Sequence, residues 1–344
     1  MAGWSSGAPY IIAEIGVNHN GSVDFACELV SLAKSAGASA VKFQTFTAEE
    51  LAGRDTPKVA YQLSTTDSGE THFAMLKALE LDVTSHEKVM EHCRALQMPF
   101  ISTPYTKSAV DMLESLGVDE YKVASADIID IPLLKRIART RKPVILSLGM
   151  ASLGEVERAL QCFEGYEKEN VCLLHCVSNY PCADESVNLR VLLTLRSAFG
   201  FPVGLSDHSL GATAAIAATA LGACVVEKHF TSDRGLPGPD HRASSEPDEF
   251  SDLVKNINRV SVQMGEGVKK VQAEEKGMAA VSRKSVVYCR NLRVGHVLLE
   301  SDLTMRRPGG GLTWDQAAAA LGAEVIHRVE EGQMLEFRDL RWPD

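Results

Sequence analysis

Eight short apolar segments, each followed by a stretch with helical periodicity, constrain the fold of this chain more than any other feature. The segments are rich in Val and Ile and nearly continuous in apolar character, which is typical of parallel strands covered by helices. They lie at residues 10–16, 40–46, 98–103, 121–125, 143–149, 171–177, 202–208 and 223–230. Eight strand–helix units in about 265 residues match a closed (β/α)8 TIM barrel better than an open sheet.

Amphipathic patterns predict the helices between these strands. The predicted helices lie at 22–36, 84–97, 107–117, 130–140, 152–164, 188–199, 211–222 and 247–265. Ser22, Thr84, Ser152 and Asn188 are the expected N-caps, because their side-chain oxygens can accept hydrogen bonds from the first free backbone N–H groups. The stretch 47–83 is polar and irregular and too long for a routine connection, so we expect a lid or a substrate loop there.

A second, smaller domain is expected at the C-terminal end. Two segments there resemble each other, GHVLLESDL at 295–303 and GQMLEFRDL at 332–340, which indicates an internal duplication and not a solenoid. We therefore predict a barrel domain at 1–267, a linker at 268–282 and a small domain at 283–344. A domain of about 60 residues buries little core by itself, so we expect it to lean on another surface.

Charge and hydropathy exclude several classes of protein. The 344 residues include 35 basic and 45 acidic ones, a net charge of −10, so the global basic surface of a nucleic-acid-binding protein is absent. No apolar run approaches the roughly 20 residues of a membrane helix, and we expect no secretory signal. The eight cysteines include no C-x-x-C pair. We expect reduced, buried thiols and a cytoplasmic protein.

The active site of such a barrel lies at the C-terminal ends of its strands, which selects a group of polar side chains. Two lysines, Lys42 and Lys122, supply positive charge there. The carboxylate, amide and hydroxyl groups at the same strand ends belong to Glu14, Gln44, Thr103, Tyr105, Ser125, Asp127, Ser147, Ser178, Tyr180 and Ser206. Lysines and hydroxyls that converge on one mouth are suited to bind a phosphate or a carboxylate.

Two histidines predict a metal site. His208 and His229 end adjacent strands, so their imidazoles can converge on one ion. Two imidazoles with open coordination positions suit a Mn-, Zn- or Fe-type Lewis acid, and Asp207, Glu227 and Asp240 strengthen this interpretation. The alternative is that each histidine only makes structural hydrogen bonds in its loop.

Two carboxylates are candidates for acid–base chemistry. Glu14 precedes the turn GVNHNG, and Asp240 lies in the loop RGLPGPDH. Either group can orient a water molecule or move its proton, and either can instead bond loop amides. The sequence does not assign the two roles. In the small domain, Arg306 and Arg307 precede the segment PGGGL, which lacks the P-loop pattern.

Eight motifs follow one another in register along the barrel: AEIGVNHNG, VKFQTF, YKVASAD, ILSLGM, VSNYPC, GLSDHSLG, EKHFT and PGPDH. In this order they resemble the sialic acid synthase family, and the C-terminal piece resembles that family's antifreeze-like or SAF domain. The resemblance covers nearly the whole chain. It implies a condensation of phosphoenolpyruvate with an N-acylated hexosamine, which releases phosphate and forms a nine-carbon 2-keto acid.

The resemblance also implies roles for individual residues. Those expected to hold phosphoenolpyruvate are Lys42, Lys122, Ser125, Ser147, Ser178 and Ser206. Those expected to bind a divalent metal, usually Mn²⁺, are His208 and His229. The residues expected near the sugar or the reacting atoms are Asp127, Tyr180, Asp240, Glu14 and Gln44. Family members are typically domain-swapped homodimers, in which Arg307 would reach into the partner's barrel.

Two departures leave the sugar open. Ser125-Ala126-Asp127 stands where the family often has Ser-Gly-Glu, and Ser178 stands where bacterial members often have Asn. N-acetylmannosamine, a 2,4-diacetamido sugar, mannose and a 6-phosphate of these all remain candidates. The segment HFAMLKALEL at 72–81 resembles the neuraminic and legionaminic branches of the family.

Two other functions compete with this interpretation. An aldolase-type lyase would use Lys42 or Lys122 as a Schiff-base amine, although both lysines are accompanied by hydroxyl donors that suit a phosphate. A glycan- or ice-binding protein would need no polar ring of strand ends. We therefore predict a synthase.

Overall fold

The chain divides into two compact units, Met1–Gly265 and Glu266–Asp344. The computed structural model describes residues 2–58, 60–66 and 69–343. Within these described ranges, no helix combines the length and the apolar character that crossing a membrane requires.

The first unit contains the closed barrel of eight parallel strands that the alternating pattern predicts. The strands are β1 (Tyr10–Gly16), β2 (Ala40–Thr45), β3 (Phe100–Pro104), β4 (Tyr121–Val123), β5 (Val144–Ser147), β6 (Val171–Cys176), β7 (Val203–Asp207) and β8 (Val225–His229). Each strand pairs with the next along the chain, and β8 pairs with β1 to close the barrel. Glu14 lies in register with His229 across that closure, so the candidate residues meet at one end.

Helices alternate with the strands. They are α1 (Val23–Ser35), α2 (Ala48–Leu51), α3 (Ala60–Thr65), α4 (His72–Ala78), α5 (Val83–Ala95), α6 (Lys107–Leu116), α7 (Ile131–Ala138), α8 (Leu153–Gln161), α9 (Asp184–Val187), α10 (Val191–Phe199), α11 (Thr213–Ala220) and α12 (Pro247–Met264). Short 3-10 segments occupy Gly3–Ser6, Ser125–Ile129, Lys168–Asn170 and His241–Ala243.

Two of the four predicted helix caps are confirmed. Ser22 and Ser152 accept backbone hydrogen bonds at the starts of α1 and α8. The prediction for Thr84 is wrong, because the carboxylate of Asp82 caps α5 and the helix begins before the threonine. The prediction for Asn188 is also wrong. Its φ of 46° is left-handed, so it ends α9, and α10 begins three residues later.

The connection between β2 and β3 contains three short helices, α2 to α4, instead of the irregular loop predicted for 47–83. An apolar cluster holds part of it in place. Its buried members are Val17, Phe46, Ala48, Met75, Leu76 and Leu79. Helices of four to seven residues show too few turns to display a clear period, which is why the pattern missed them.

The barrel interior changes from apolar to polar along the strands. A buried layer that we call the apolar floor consists of Ile12, Ala40, Ile101, Ile145, Leu174 and Val225. Two residues further along the same strands lie Glu14, Lys42, Thr103, Ser147, Cys176 and Glu227, because every second side chain of a strand faces the same side. On β7 the floor position is Gly204, where a Cβ would lie 2.4 Å from the carbonyl oxygen of Val225. The floor is therefore tightly packed.

The second unit consists of two small antiparallel sheets with their own core. Its elements are α13 (Glu275–Ser282), β9 (Ser285–Tyr288), β10 (Leu303–Arg306), α14 (Trp314–Ala317), β11 (Glu324–Val325) and β12 (Leu340–Arg341). The two similar sequence segments form the same structure, a 3-10 turn at Glu300–Asp302 or Phe337–Asp339 followed by β10 or β12. The internal duplication inferred from the sequence is thus visible in the fold.

Candidate active site

Four charged side chains form a buried network at the C-terminal mouth of the barrel. Lys42 Nζ lies 2.7 Å from Glu14 Oε2 and 3.8 Å from Glu227 Oε1. Lys122 Nζ donates to Glu227 Oε1 at 3.2 Å. All four side chains are at most 5% exposed. Two positive and two negative charges therefore balance in a region from which water is largely excluded.

The pKa values separate the two carboxylates. Burial tends to raise the pKa of Glu227, but Lys122 and Lys42 outweigh it and lower that pKa to about 2. For Glu14, burial outweighs the attraction of Lys42, so its pKa is raised. The lowered pKa of Glu227 therefore favours its carboxylate form, whereas the raised pKa of Glu14 makes its protonation easier. Burial also lowers the pKa of Lys122, while for Lys42 the two carboxylates outweigh burial and raise the pKa.

Hydroxyl groups surround the two lysines. Lys42 Nζ donates to Thr103 Oγ1 at 3.1 Å, and Ser206 Oγ donates to Glu227 Oε1 at 3.2 Å. Ser147 Oγ is buried and has no hydrogen-bond partner among the described residues. A buried polar group without a partner is costly, so the Ser147 hydroxyl is well placed to bond a ligand.

Gly149 brings two further hydroxyls together. Its backbone N–H donates to Ser125 Oγ at 3.0 Å. A Cβ at this position would lie 2.4 Å from Ser178 Oγ and 2.9 Å from Ser125 Oγ. The glycine of the motif ILSLGM therefore lets both serines converge from different strand ends.

Two adjoining cavities open at this mouth. The inner cavity, of about 400 Å³, is lined by Lys42, Thr103, Lys122, Ser125, Ser147, Ser178, Ser206 and Glu227, among others. The outer cavity, of about 370 Å³, is lined by Gln44, Leu51, Met75, Leu76 and Asp240, among others. Both cavities share His72, Tyr105, Tyr180 and His229. A molecule in one cavity would thus meet a molecule in the other beside His229.

The two histidines are held in different ways. His208 Nδ1 lies 2.8 Å from the carbonyl oxygen of Val177 and must donate to it, because a carbonyl only accepts. In the neutral ring Nε2 therefore keeps its lone pair, and Ser206 Oγ lies 3.5 Å from it. His229 Nδ1 is buried without a hydrogen-bond partner in the described chain and lies 3.9 Å from Asp240 Oδ2. The two rings are 5.5 Å apart between centroids.

These histidines fit a divalent cation with open positions. Burial is the main cause that lowers the pKa of His229, which favours its neutral imidazole, the form that binds metals. For His208, the contacts with Cys176 and the carbonyl of Val177 outweigh burial and raise the pKa. Among the described residues, no group of three or more ligating side chains is assembled at one point. The donor set is thus two imidazoles with the Asp240 carboxylate nearby, which leaves positions for substrate oxygens or water.

Several predicted residues lie outside the cavity walls. Glu14 lines neither cavity; it lies behind Lys42 and Gln44, whose Nε2 donates to Glu14 Oε1 at 3.2 Å. Asp127 lies in the segment Ser125–Ile129 and also lines neither cavity. Burial and the charge of Asp130 raise the pKa of Asp127 to about 7.

Asp207 and Arg307 lie elsewhere. Asp207 does not join the histidines, because it follows the inward-facing Ser206 and bonds Lys228 Nζ at 2.8 Å. It also accepts from the backbone and hydroxyl of Ser209 and so fixes the turn beside His208. Arg307 is exposed and belongs to the second unit.

Sequence reasoning undervalued two residues. Glu227 is central to the charge network, and its spacing of two from His229 on the same strand was the available signal. His72 lines both cavities, and its Nδ1 is buried without a hydrogen-bond partner in the described ranges. His72 begins the segment HFAMLKALEL, but this segment indicated only the family branch and gave His72 no role, because the helices of its connection were not predicted.

The sequence matches two family models. The NeuB family model matches residues 29–269, and the SAF domain model matches residues 283–341. The chain is 40% identical to the N,N′-diacetyllegionaminic acid synthase of Campylobacter jejuni, over 94% of this chain and 98% of that protein. It is also 40% identical to the synthase of the same name from Legionella pneumophila, over 96% of this chain and 94% of that one.

A solved structure is similar to this chain in both sequence and fold. The chain is similar to the N-acetylneuraminic acid synthetase of Leptospira borgpetersenii, which was crystallised with citrate. The TM-score is 0.71 and the identity 35%, over 79% of this chain and 90% of that one.

Proposed function

The chain belongs to the NeuB family and is a nonulosonic acid synthase, and from this premise we propose that it condenses phosphoenolpyruvate with a 2,4-diacetamido hexose. The reaction class is that of its relatives, whose names identify them as synthases of nonulosonic acids. The observation that carries the proposal is the pair of adjoining cavities, one lined by lysines and hydroxyls and the other partly apolar, that meet at His229.

Phosphoenolpyruvate belongs in the inner cavity. Its phosphate and carboxylate carry nearly three negative charges, and Lys42 and Lys122 are the cations that line this space. Ser147 offers a hydroxyl without a partner in the described chain, and Ser125 and Ser178 converge beside Gly149. Charge-assisted bonds to these groups would replace bonds to water on binding.

The acceptor sugar belongs in the outer cavity. Gln44 and Asp240 supply polar groups there, while Leu51, Met75 and Leu76 form an apolar wall. A wall of this kind suits the methyl groups of acetamido substituents. Two relatives with 40% identity are named for the diacetylated product, which favours a diacetamido acceptor over N-acetylmannosamine.

His208 and His229 would hold a divalent cation, most simply Mn²⁺, at the junction of the cavities. When bound, such a cation supplies Lewis-acid stabilisation of the charge that develops on the aldehyde oxygen. His208 is oriented for this role by its bond to the carbonyl of Val177. The position of the second histidine, His229, is set by β8, which ends at this residue.

The protein's own groups then guide the condensation. C3 of phosphoenolpyruvate attacks C1 of the open-chain sugar, C2 accepts water, and phosphate leaves with cleavage of the C–O bond. Asp240 lines the outer cavity, and burial together with the charge of Glu14 raises its pKa to about 7, which suits a group that moves a proton near neutral pH. Glu14, behind the wall, would position Lys42 and Gln44.

The lyase alternative is not favoured. A Schiff-base amine must present a neutral lysine to its substrate. Lys42 is paired with Glu14, and its pKa is raised. Burial lowers the pKa of Lys122, but this lysine donates to Glu227 and lines a cavity whose hydroxyl groups suit a phosphate. We also propose that the protein is a homodimer in which Arg307 of one chain completes the sugar site of the other. A cytoplasmic location is part of the same proposal, because the eight free cysteines fit a reducing compartment.

Incubation of the purified protein with phosphoenolpyruvate, Mn²⁺ and a panel of sugars tests the proposal. The panel holds a 2,4-diacetamido hexose, N-acetylmannosamine, its 6-phosphate and mannose, and the readouts are released phosphate and product mass. We expect the highest kcat/KM with the diacetamido sugar. Protein carrying His208→Ala gives the background of contaminating activity. A higher kcat/KM with another sugar would refute the choice of acceptor, and no phosphate release with any sugar would refute the reaction.

A further inference from the structure

Two thiols face each other at the end of the barrel opposite the active site. Cys172 lies on β6 and packs in the buried cluster that contains the apolar floor, and Cys224 immediately precedes β8. Their sulfur atoms are 3.8 Å apart, although the residues are 52 positions apart in sequence. Neither residue takes part in the synthase chemistry, so the pair needs an explanation of its own.

Cys224 is accessible from a separate cavity. This cavity, of about 250 Å³, is lined by Trp4, Pro9, Gly222, Cys224 and Met264, among others. These residues come before β1 and β8 or at the end of the last barrel helix, so the cavity lies at the N-terminal ends of the strands. A small solute can therefore reach Cys224, while Cys172 is fully buried behind it.

The surroundings of Cys224 favour its thiolate. Arg196 Nη2 donates to the carbonyl oxygen of Gly222 at 2.6 Å, which holds a guanidinium charge close to the thiol. The hydrogen bond with Cys172 lowers the pKa of Cys224, and Arg196 adds to that effect against the opposing effect of burial. Burial raises the pKa of Cys172. The two thiols thus differ: one is accessible and activated, and the other is buried and adjacent.

We propose that Cys224 and Cys172 form a peroxide-reactive dithiol site, in which hydrogen peroxide oxidises Cys224 and Cys172 completes a reversible disulfide. The site is distinct from the active site in position, in residues and in chemistry. Its substrate class is a small peroxide, and a low-molecular-weight thiol returns it to the reduced form.

The step balances as follows. The Cys224 thiolate attacks one peroxide oxygen and the O–O bond breaks, giving a sulfenic acid and hydroxide, which takes a proton to become water. The Cys172 thiol then loses its proton, its sulfur attacks Cys224 Sγ, and the S–O bond breaks with release of a second water. The two thiols lose two electrons in total, and one peroxide molecule gains them.

The geometry requires only a small movement. A disulfide has an S–S distance of about 2.05 Å, so the two sulfurs must approach from 3.8 Å. Cys224 lies between Gly222, whose φ is 88°, and the first residue of β8. Its backbone is held on both sides, since its N–H donates to the carbonyl of Val203 and its carbonyl accepts from Tyr10 N–H, so the approach must come mainly from rotation of the side chains.

Treatment of the full-length protein with hydrogen peroxide, followed by alkylation of free thiols and mass spectrometry of a non-reduced digest, tests the proposal. We expect a Cys172–Cys224 cross-linked peptide that disappears after dithiothreitol. Cys162 is a matched comparator, because it is also partly exposed but burial raises its pKa. Cys224 should lose its free thiol on the order of tenfold faster than Cys162, since the thiolate is the reactive form.

Variants separate the two roles. Cys172→Ser should leave Cys224 as a sulfenic acid that dimedone traps, with no cross-link. Cys224→Ser should leave Cys172 as a thiol, and Cys162→Ser should form the cross-link as the unaltered protein does. Circular dichroism and synthase activity show that each variant is folded. The proposal would be overturned if Cys224 were oxidised no faster than Cys162, or if Cys224 formed its cross-link with a cysteine other than Cys172. Both outcomes can be measured on the unaltered protein alone.

Discussion

Glu227 determines the charge balance of the barrel mouth. Its carboxylate accepts from Lys122 and Ser206 and lies 3.8 Å from Lys42. Because its pKa is about 2, it stays ionised at any pH at which the enzyme works. This buried anion favours the charged form of both lysines and opposes the burial that lowers the pKa of Lys122, which prepares the site for a phosphate.

Lys122 is expected to act on phosphoenolpyruvate and not on the sugar. Lys122→Ala should raise the KM for phosphoenolpyruvate roughly 10- to 150-fold, because a lost charge-assisted hydrogen bond costs about 1.5–3 kcal/mol. The KM for the sugar should change little. Steady-state kinetics with each substrate varied in turn measure both values. Lys255→Ala removes an exposed lysine on α12 and serves as the control; equal effects on both KM values would contradict the placement of Lys122.

The two histidines are expected to bind metal and to support catalysis. His208→Ala and His229→Ala should each lower kcat/KM by on the order of 10²-fold or more, since charge stabilisation by a metal is worth several kcal/mol. Chelation of the unaltered protein should do the same. Metal content measured by inductively coupled plasma mass spectrometry gives a readout independent of activity. His327→Ala, at an exposed position of the second unit, is the control. Full activity in metal-free buffer would rule out a metal role.

At the scale of elements, strand ends were the most predictable part of the molecule and short connections the least. The eight apolar segments fix where each strand stops, and Lys42, Lys122 and Ser206 follow from that rule. The rule selects the end of a strand but not the face, which is why Asp207 was wrongly grouped with the histidines and Glu227 was undervalued. The helix that carries His72 escaped prediction, because its position depends on the packing of Met75 and Leu76 against Val17 and Phe46, which are distant in sequence.

In the second unit, a single carboxylate secures the first of the duplicated turns. Asp302 is fully buried and accepts from Arg290 Nε at 2.8 Å, His296 Nε2 at 2.7 Å and the Leu299 backbone N–H at 2.9 Å. These bonds outweigh burial and lower its pKa below the ordinary 3.8. The carboxylate therefore stabilises the fold above pH 3.8, and this contribution is lost as the pH falls below that value.

Asp302→Ala should reduce the stability of the second unit by roughly 1–3 kcal/mol at pH 7, because it leaves a buried N–H without its acceptor. The difference from the unaltered protein should shrink as the pH falls below 3.8, where the folded carboxyl itself becomes protonated. Hydrogen exchange of β9 and β10 in the full chain measures this locally. Glu300→Ala, an exposed acid in the same turn, should have little effect, and an equal loss in both variants would contradict the assignment.

At the scale of the whole molecule, the barrel carries the charged site and the second unit presents Arg307. The loop after this arginine is well anchored: Gly309 N–H donates to the carbonyl of Ala280 at 2.8 Å, and Ser285 Oγ donates to that of Pro308 at 2.8 Å. An exposed arginine at the base of an anchored loop is suited to reach a ligand outside its own unit. The sequence could indicate this arginine only through the family resemblance, because the role we propose for it requires a second chain.

Mixed dimers test whether Arg307 acts on the partner's barrel. A chain with Arg307→Ala is combined with a chain whose barrel is inactive through His208→Ala. If the small domain caps the other chain's barrel, the intact barrel of the first chain receives Arg307 from the second, and one site per heterodimer works. Activity should therefore rise well above that of the two parent homodimers. Activity no higher than the parents would contradict the exchange.

The apolar floor closes one end of the barrel interior and leaves the other end open. Substrates and products must then pass the mouth at the C-terminal ends of the strands, where the two cavities adjoin. A side chain at Gly204, far below the chemistry, would collide with the carbonyl oxygen of Val225, so a glycine is needed there for the closed end to pack.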